Sequence, residues 1–120
     1  GDMRELLAAR TAGNERARLA LEIFTARVRE GIGALAVALG GLDVLVFTAG
    51  IGEHVPEIRA EICQPLRWLG VELDAARNAA AGPDVDIATE TSAIRVFVIR
   101  TREELMIARE TRRVLAHQSG

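Results

Sequence analysis

The chain has 120 residues, 15 basic against 17 acidic side chains and an apolar share of 49%, a balance that describes a globular protein able to bury a core and excludes a disordered segment. All 15 basic residues are arginine, so the chain holds neither a Walker-type phosphate lysine nor a Schiff-base lysine, and its near-neutral charge argues against a nucleic-acid partner. No charged-then-apolar leader opens it and its apolar runs fall far short of the ~20 residues a membrane helix needs, so no membrane is expected and the reading is cytoplasmic.

In chain order, Gly1-Asp2-Met3-Arg4 begins abruptly and reads as a cut from something longer. By composition alone it would be a frayed terminus. From Asn14 to about Leu39 the apolar residues Leu21, Phe24, Val28, Ile32, Leu35 and Leu39 recur at helical spacing on one face, which predicts a long amphipathic helix. Asn14 is its expected N-cap and Gly40-Gly41 its left-handed stop. Gly31 and Gly33, each costing ~1 kcal/mol against alanine, mark a place for a local break or a close helix contact.

Leu42 to Thr48 is a continuous apolar run without alternation, as expected for a strand covered on both faces in a parallel sheet. The glycine-containing turn Ala49-Gly50-Ile51-Gly52-Glu53 follows, and then a helical segment from Val55 to about Leu69 with Ile58, Ile62, Leu66 and Leu69 as its buried stripe. Pro56 suits the first turn of that segment, and Pro65 predicts a kink or a split into two short helices. Cys63, the one cysteine, reads as core. Trp68 reads as core or interface rather than as a base-stacking platform.

Asn78 to Thr91, rich in Ala, Gly, Asp and Thr, predicts a loop with one short strand at Val85 to Ala88. Ala93 to Ile99 is the second clear strand. Thr101 at an N-cap with Glu104 three residues on is a capping box that opens a last helix, continued by Leu105, Ala108 and Leu115. Arg109, Arg112 and Arg113 suit its negative end as a solvated face, and His117 reads as a tail residue. The order helix, strand, helix, strand, helix predicts an α/β fold with parallel strands. Two strands make a poor sheet, so the remainder is expected from upstream or from a partner chain.

Chemistry concentrates in Phe47-Thr48-Ala49-Gly50-Ile51-Gly52-Glu53-His54, between a buried strand and a helix start, where open parallel sheets collect their ligands. Two glycines let backbone amides approach a phosphate or ribose, and the helix start adds partial positive charge. Tight strand-to-helix packing would need the same glycines. The dinucleotide fingerprint fails, because its third glycine position holds Val55 and no acidic residue follows at the right distance.

The runs GGLDVLVFT, FTAGIGE with a proline two residues beyond His54, and TREELMIARET resemble, in order and spacing, the corresponding segments of the acetokinase family, over nearly the whole chain. That resemblance implies a ribonuclease H-like, actin-like ATPase domain, with residues 1–120 forming the carboxy-terminal part of the second of two related domains. It implies contact with ATP or ADP by Gly50, Ile51, Gly52, Glu53 and His54 of the glycine turn and by the triplet Asp2, Met3 and Arg4, with the triplet expected to be disordered in this piece alone. It implies a role for Glu103 toward Mg2+, leaving Glu104 as the cap. The family usually has asparagine where His54 and Arg102 stand and proline where Arg100 stands.

The implied reaction is reversible phosphorylation of acetate to acetyl phosphate by ATP, with the acetate pocket and the cationic clamps of the transferred phosphoryl group upstream. No catalytic residue maps here, and a homodimer paired through the long helix or the strand region is expected. A propionate, butyrate or sugar kinase of the same superfamily and a non-enzymatic interaction domain that keeps the fold remain as alternatives.

Overall fold

A computed structural model of the chain describes residues 3–100 and 116–118. Two helices open it, α1 (Met3–Thr11) and α2 (Glu15–Leu39). The first stands where a disordered terminus was expected: Met3 is buried, Leu6 and Leu7 pack against the core, and Arg10 forms a paired contact with Glu61 of a later helix (2.9 and 2.6 Å). Those anchors are tertiary, which is why composition alone suggested fraying.

The caps of α2 follow the sequence. Asn14 accepts the Ala17 N–H at 3.0 Å. Gly40 turns left-handed at φ 80° while its N–H and that of Gly41 close onto the last turn. The helix runs unbroken through Gly31 and Gly33, and a side chain at either would meet nothing within 4 Å, so neither a break nor a close contact occurs there. Its buried stripe covers Leu21 and Ile32, with Phe24 and Val28 packed beside them, but Leu35 and Leu39 stay exposed.

Strand β1 (Val44–Thr48) leads into α3 (Ala49–His54), then α4 (Pro56–Cys63) and a 3-10 helix (Gln64–Leu69). The expected interruption thus falls at Pro65, one residue into the 3-10 segment. Where a loop was expected from Asn78, a short helix α5 (Ala75–Ala80) forms, capped by Asp74, whose side chain accepts the Arg77 N–H at 2.9 Å. Six residues are too few to print a helical period, so only the cap carried that signal.

Strands β2 (Val85–Asp86), β3 (Arg95–Ile99) and β4 (Ala116–Gln118) complete a sheet in the order β2-β3-β1-β4. The core pairing β1–β3 is parallel as expected, from Val44 opposite Arg95 to Thr48 opposite Ile99. The sheet is nonetheless mixed, since β2 runs antiparallel to β3. Residues 87–94 between them are fewer than the dozen or so that a parallel crossover needs. The pair is flanked by β2, expected as a short strand from Val85, and by β4, which was not expected; His117 lies in β4 opposite Val46 rather than in a tail.

The core gathers Leu45, Phe47, Ile58, Ile62, Ile94, Val96 and Val98 between sheet and helices. Cys63 joins it, and burial pushes its thiol up to about 12. Trp68 does not, being 77% exposed. No helix among the described residues is long and apolar enough to cross a membrane. The last helix expected from Thr101, with its capping box and its arginines, lies outside the described residues.

Candidate functional site

The register of β1 and β3 sets Thr48 beside Ile99, so the chain leaves both strands at the same end of the sheet. From Thr48 it enters α3, which is interrupted at Gly50 by a non-helical conformation (φ 30°, ψ −106°). Only glycine adopts that geometry without strain. A side chain added at Gly50 would meet nothing within 4 Å, and one at Gly52 would meet Phe47 at 3.6 Å, an ordinary contact. Packing therefore explains neither glycine. Gly50 answers a backbone requirement on an exposed, open surface.

Arg4 ties the amino-terminal triplet to this turn. Its Nη2 donates to the His54 carbonyl at 3.0 Å, and its Nη1 reaches Glu57 Oε2 at 3.2 Å. Two segments some fifty residues apart, both implied by the resemblance, thus meet through one guanidinium. Met3 instead turns inward to the core. Gly50, Ile51, Gly52, Glu53 and His54 share the turn. Asp2 and Glu103 lie outside the described residues, and among the described residues no group of three or more His, Cys, Asp or Glu side chains could hold a metal ion.

One residue at the site went unread in the sequence. Arg59 of α4 is 1% exposed, and it donates from Nη1 to the Gly52 carbonyl at 3.1 Å, from Nε to Asn78 Oδ1 at 2.8 Å and from Nη2 to the Asn78 carbonyl at 2.8 Å. Asn78 in turn donates from Nδ2 to the Pro56 carbonyl at 2.9 Å. Helical spacing held the clue, because Val55, Arg59 and Cys63 step by four along the buried face. Asn78 had no such signal, since its helix was read as loop.

Farther off, Arg95 braces the loop after β2, donating to Asp86 Oδ2 at 2.9 Å and to the Thr89 carbonyl at 2.9 Å. Glu72 accepts from the hydroxyls of Thr89 and Thr91, both at 2.8 Å, and those bonds hold its carboxyl below the usual range. These contacts shape the sheet edge rather than the glycine turn.

Known proteins resemble this chain along most of its length. The acetate kinase of Gloeobacter violaceus is 53% identical over 109 residues, which cover 91% of this chain and 27% of that protein. Among solved structures, the acetate kinase of Porphyromonas gingivalis superposes with a TM-score of 0.81 at 38% identity, covering 94% of this chain and 29% of its own. A propionate kinase from Francisella tularensis superposes with a TM-score of 0.78 at 38% identity, covering 95% and 29%. The chain therefore spans somewhat over a quarter of the length of these relatives, and it shares their α/β fold of a mixed sheet flanked by helices. The model of the Acetokinase family matches residues 1–109, a span that takes in the long helix, the glycine turn and both central strands; the chain belongs to that family.

Proposed function

We propose that the chain is the carboxy-terminal part of the second domain of an ATP-dependent acetate kinase, and that it supplies part of the nucleotide site. The observation that carries this reading is the meeting of Arg4 with the glycine turn at the His54 carbonyl, 3.0 Å away, at the end of the parallel pair β1–β3. Ligands of such sheets collect at the carboxy ends of the strands.

In this reading Gly50 and Gly52 leave room for ribose or phosphate beside the backbone, while Asp2 and Arg4 with Ile51, Glu53 and His54 border the adenosine. Met3 acts by anchoring α1 in the core rather than by touching the nucleotide. Glu103 would hold Mg2+ beside the phosphates, directly or through water, and a bound magnesium would offset charge on the phosphoryl group. The register supports that role, because Glu103 follows β3 by four residues and β3 ends beside the start of the turn.

The chemistry would be in-line attack of an acetate oxygen on the terminal phosphorus, forming a carboxyl-phosphate bond as the bond to the ADP oxygen breaks. Position and charge compensation provide most of the catalysis in such transfers. The groups that supply them are expected in the remainder of the enzyme. The Francisella propionate kinase favours a second reading of acyl choice, in which propionate or butyrate replaces acetate.

A homodimer in a cytoplasmic enzyme belongs to the same proposal. Leu19, Ile23 and Val37 stand exposed on one side of α2, and burying them against a second copy is the economical use of such a face. Light scattering of the intact protein should give twice the monomer mass; monomer alone at high concentration would count against pairing.

For the main reading, ADP with Mg2+ should slow amide exchange at residues 50–54 of the intact enzyme, and a coupled assay should show acetate-dependent ADP formation. Exchange indifferent to ADP at the turn would favour an interaction domain that has kept only the fold.

A further inference from the structure

Arg59 is a fully buried arginine to which the nucleotide reading assigns no contact. Its surroundings explain its presence. Gly52 sits in the last turn of α3, where carbonyls lose their helical partners. The donor four residues on would be residue 56, and that is Pro56, which has no N–H. The backbone also leaves helical geometry at Val55 (φ −122°, ψ 88°). Arg59 Nη1 fills the gap, 3.1 Å from the Gly52 oxygen.

The guanidinium also donates to Asn78, through Nε and Nη2 at 2.8 Å each. Asn78 holds the Pro56 carbonyl. One planar fork thus joins the exit of the glycine turn to α5, and through Asn78 to the start of α4. Burial lowers the pKa of Arg59, a cost that is offset here by its bonds to the Gly52 and Asn78 oxygens, which an apolar side chain would leave without this donor. What an apolar side chain lacks is a rigid set of donors aimed at fixed oxygens.

We propose that Arg59 is a positioning residue for the nucleotide: by clamping the Gly52 carbonyl to Asn78, it sets the orientation of the backbone of the glycine turn. A peptide unit is planar, so fixing the Gly52 oxygen also fixes the direction of the Glu53 N–H across the same bond. Arg59 acts through that backbone and does not touch the nucleotide. This inference rests on the reading of the turn as part of a nucleotide site.

The test uses the intact enzyme with R59M and R59K. ADP affinity is measured by direct titration, nucleotide and carboxylate KM by steady-state kinetics, and folding by thermal unfolding. In R59M the ADP Kd and nucleotide KM should rise roughly tenfold, as expected for loss of a charge-assisted bond, while the carboxylate KM stays within about twofold. In R59K, whose ammonium cannot span all three oxygens, the rise should be about threefold.

A purely structural role would instead lower the melting temperature and the active fraction with ADP affinity unchanged. A folded R59M whose ADP Kd stays within about twofold of wild type overturns the proposal, and so does a parallel rise in the carboxylate KM, which marks general loosening. If R59M does not fold, R59K decides on the same criteria. A wild-type enzyme that binds no ADP overturns the nucleotide reading together with this one, whereas normal wild-type binding with unaffected variants overturns this one alone.

Discussion

Cys63 and Glu72 show how two ordinary side chains acquire different chemistry from their surroundings. Cys63 is buried in apolar company and its thiol is pushed up to about 12, so at neutral pH it carries no thiolate and offers no nucleophile. Alkylation by iodoacetamide near pH 8 should therefore track unfolding of the intact protein and be negligible in its native state. Fast labelling under native conditions would place the thiol outside the core. Glu72 is shifted the other way, first by the Thr89 hydroxyl and then by that of Thr91. Because its folded pKa lies below the unfolded one, its contribution is complete above the ordinary carboxylate value of about 4.3 and is lost as acid carries the pH down through the folded value. The E72Q variant should lose less stability than wild type between pH ~6 and ~3, read as the shift of the urea midpoint. Equal acid sensitivity would remove Glu72 from the balance.

At the scale of elements, caps and glycines make separable predictions. Replacing Asn14 by alanine removes the acceptor for the Ala17 N–H and should cost about 1 kcal/mol of stability in denaturant unfolding. The two glycines of the turn should part company. G50A forces an alanine toward φ 30°, ψ −106° and should cost about 1–3 kcal/mol. G52A adds a methyl at ordinary distance from Phe47 and should leave stability unchanged or raise it by up to about 1 kcal/mol. Equal losses at both positions would show that packing, not backbone conformation, selects glycine there. Elements with a long period or a proper cap were legible in advance: α2 from its stripe, Asn14 and Gly40; β1 and β3 from continuous apolar runs; the split at Pro65 from the ring itself. The short strand β2 was expected from Val85, while α5 and β4, with neither a period nor a continuous apolar run, were not. The amino-terminal helix α1 was missed for another reason, since its anchors, Met3 in the core and Arg10 on Glu61, exist only once α4 is in place.

At the scale of the whole molecule, the sheet order puts the glycine turn and the end of β3 side by side, while the relatives extend to more than three times the length seen here. The expected outcome for the 120-residue chain alone is no measurable acetate-dependent turnover in a coupled assay, because transition-state stabilisation depends on groups it does not carry. Turnover by the purified chain would overturn that assignment of parts.

By itself the sequence determined the class of fold, the long helix and its ends, the central parallel pair, and a glycine turn of acetokinase type. Each of these is written in neighbours a few residues apart, by period, cap or motif. Only the tertiary structure decided that the outer strand β2 runs antiparallel, that Arg4 reaches the turn, that Trp68 faces outward, and that Arg59 sits buried beneath Gly52. Those outcomes depend on which distant oxygens and apolar faces meet when the chain closes. A hydrogen bond across seven to fifty residues leaves no local pattern, and the missing N–H of Pro56 gains its meaning only from the guanidinium that replaces it.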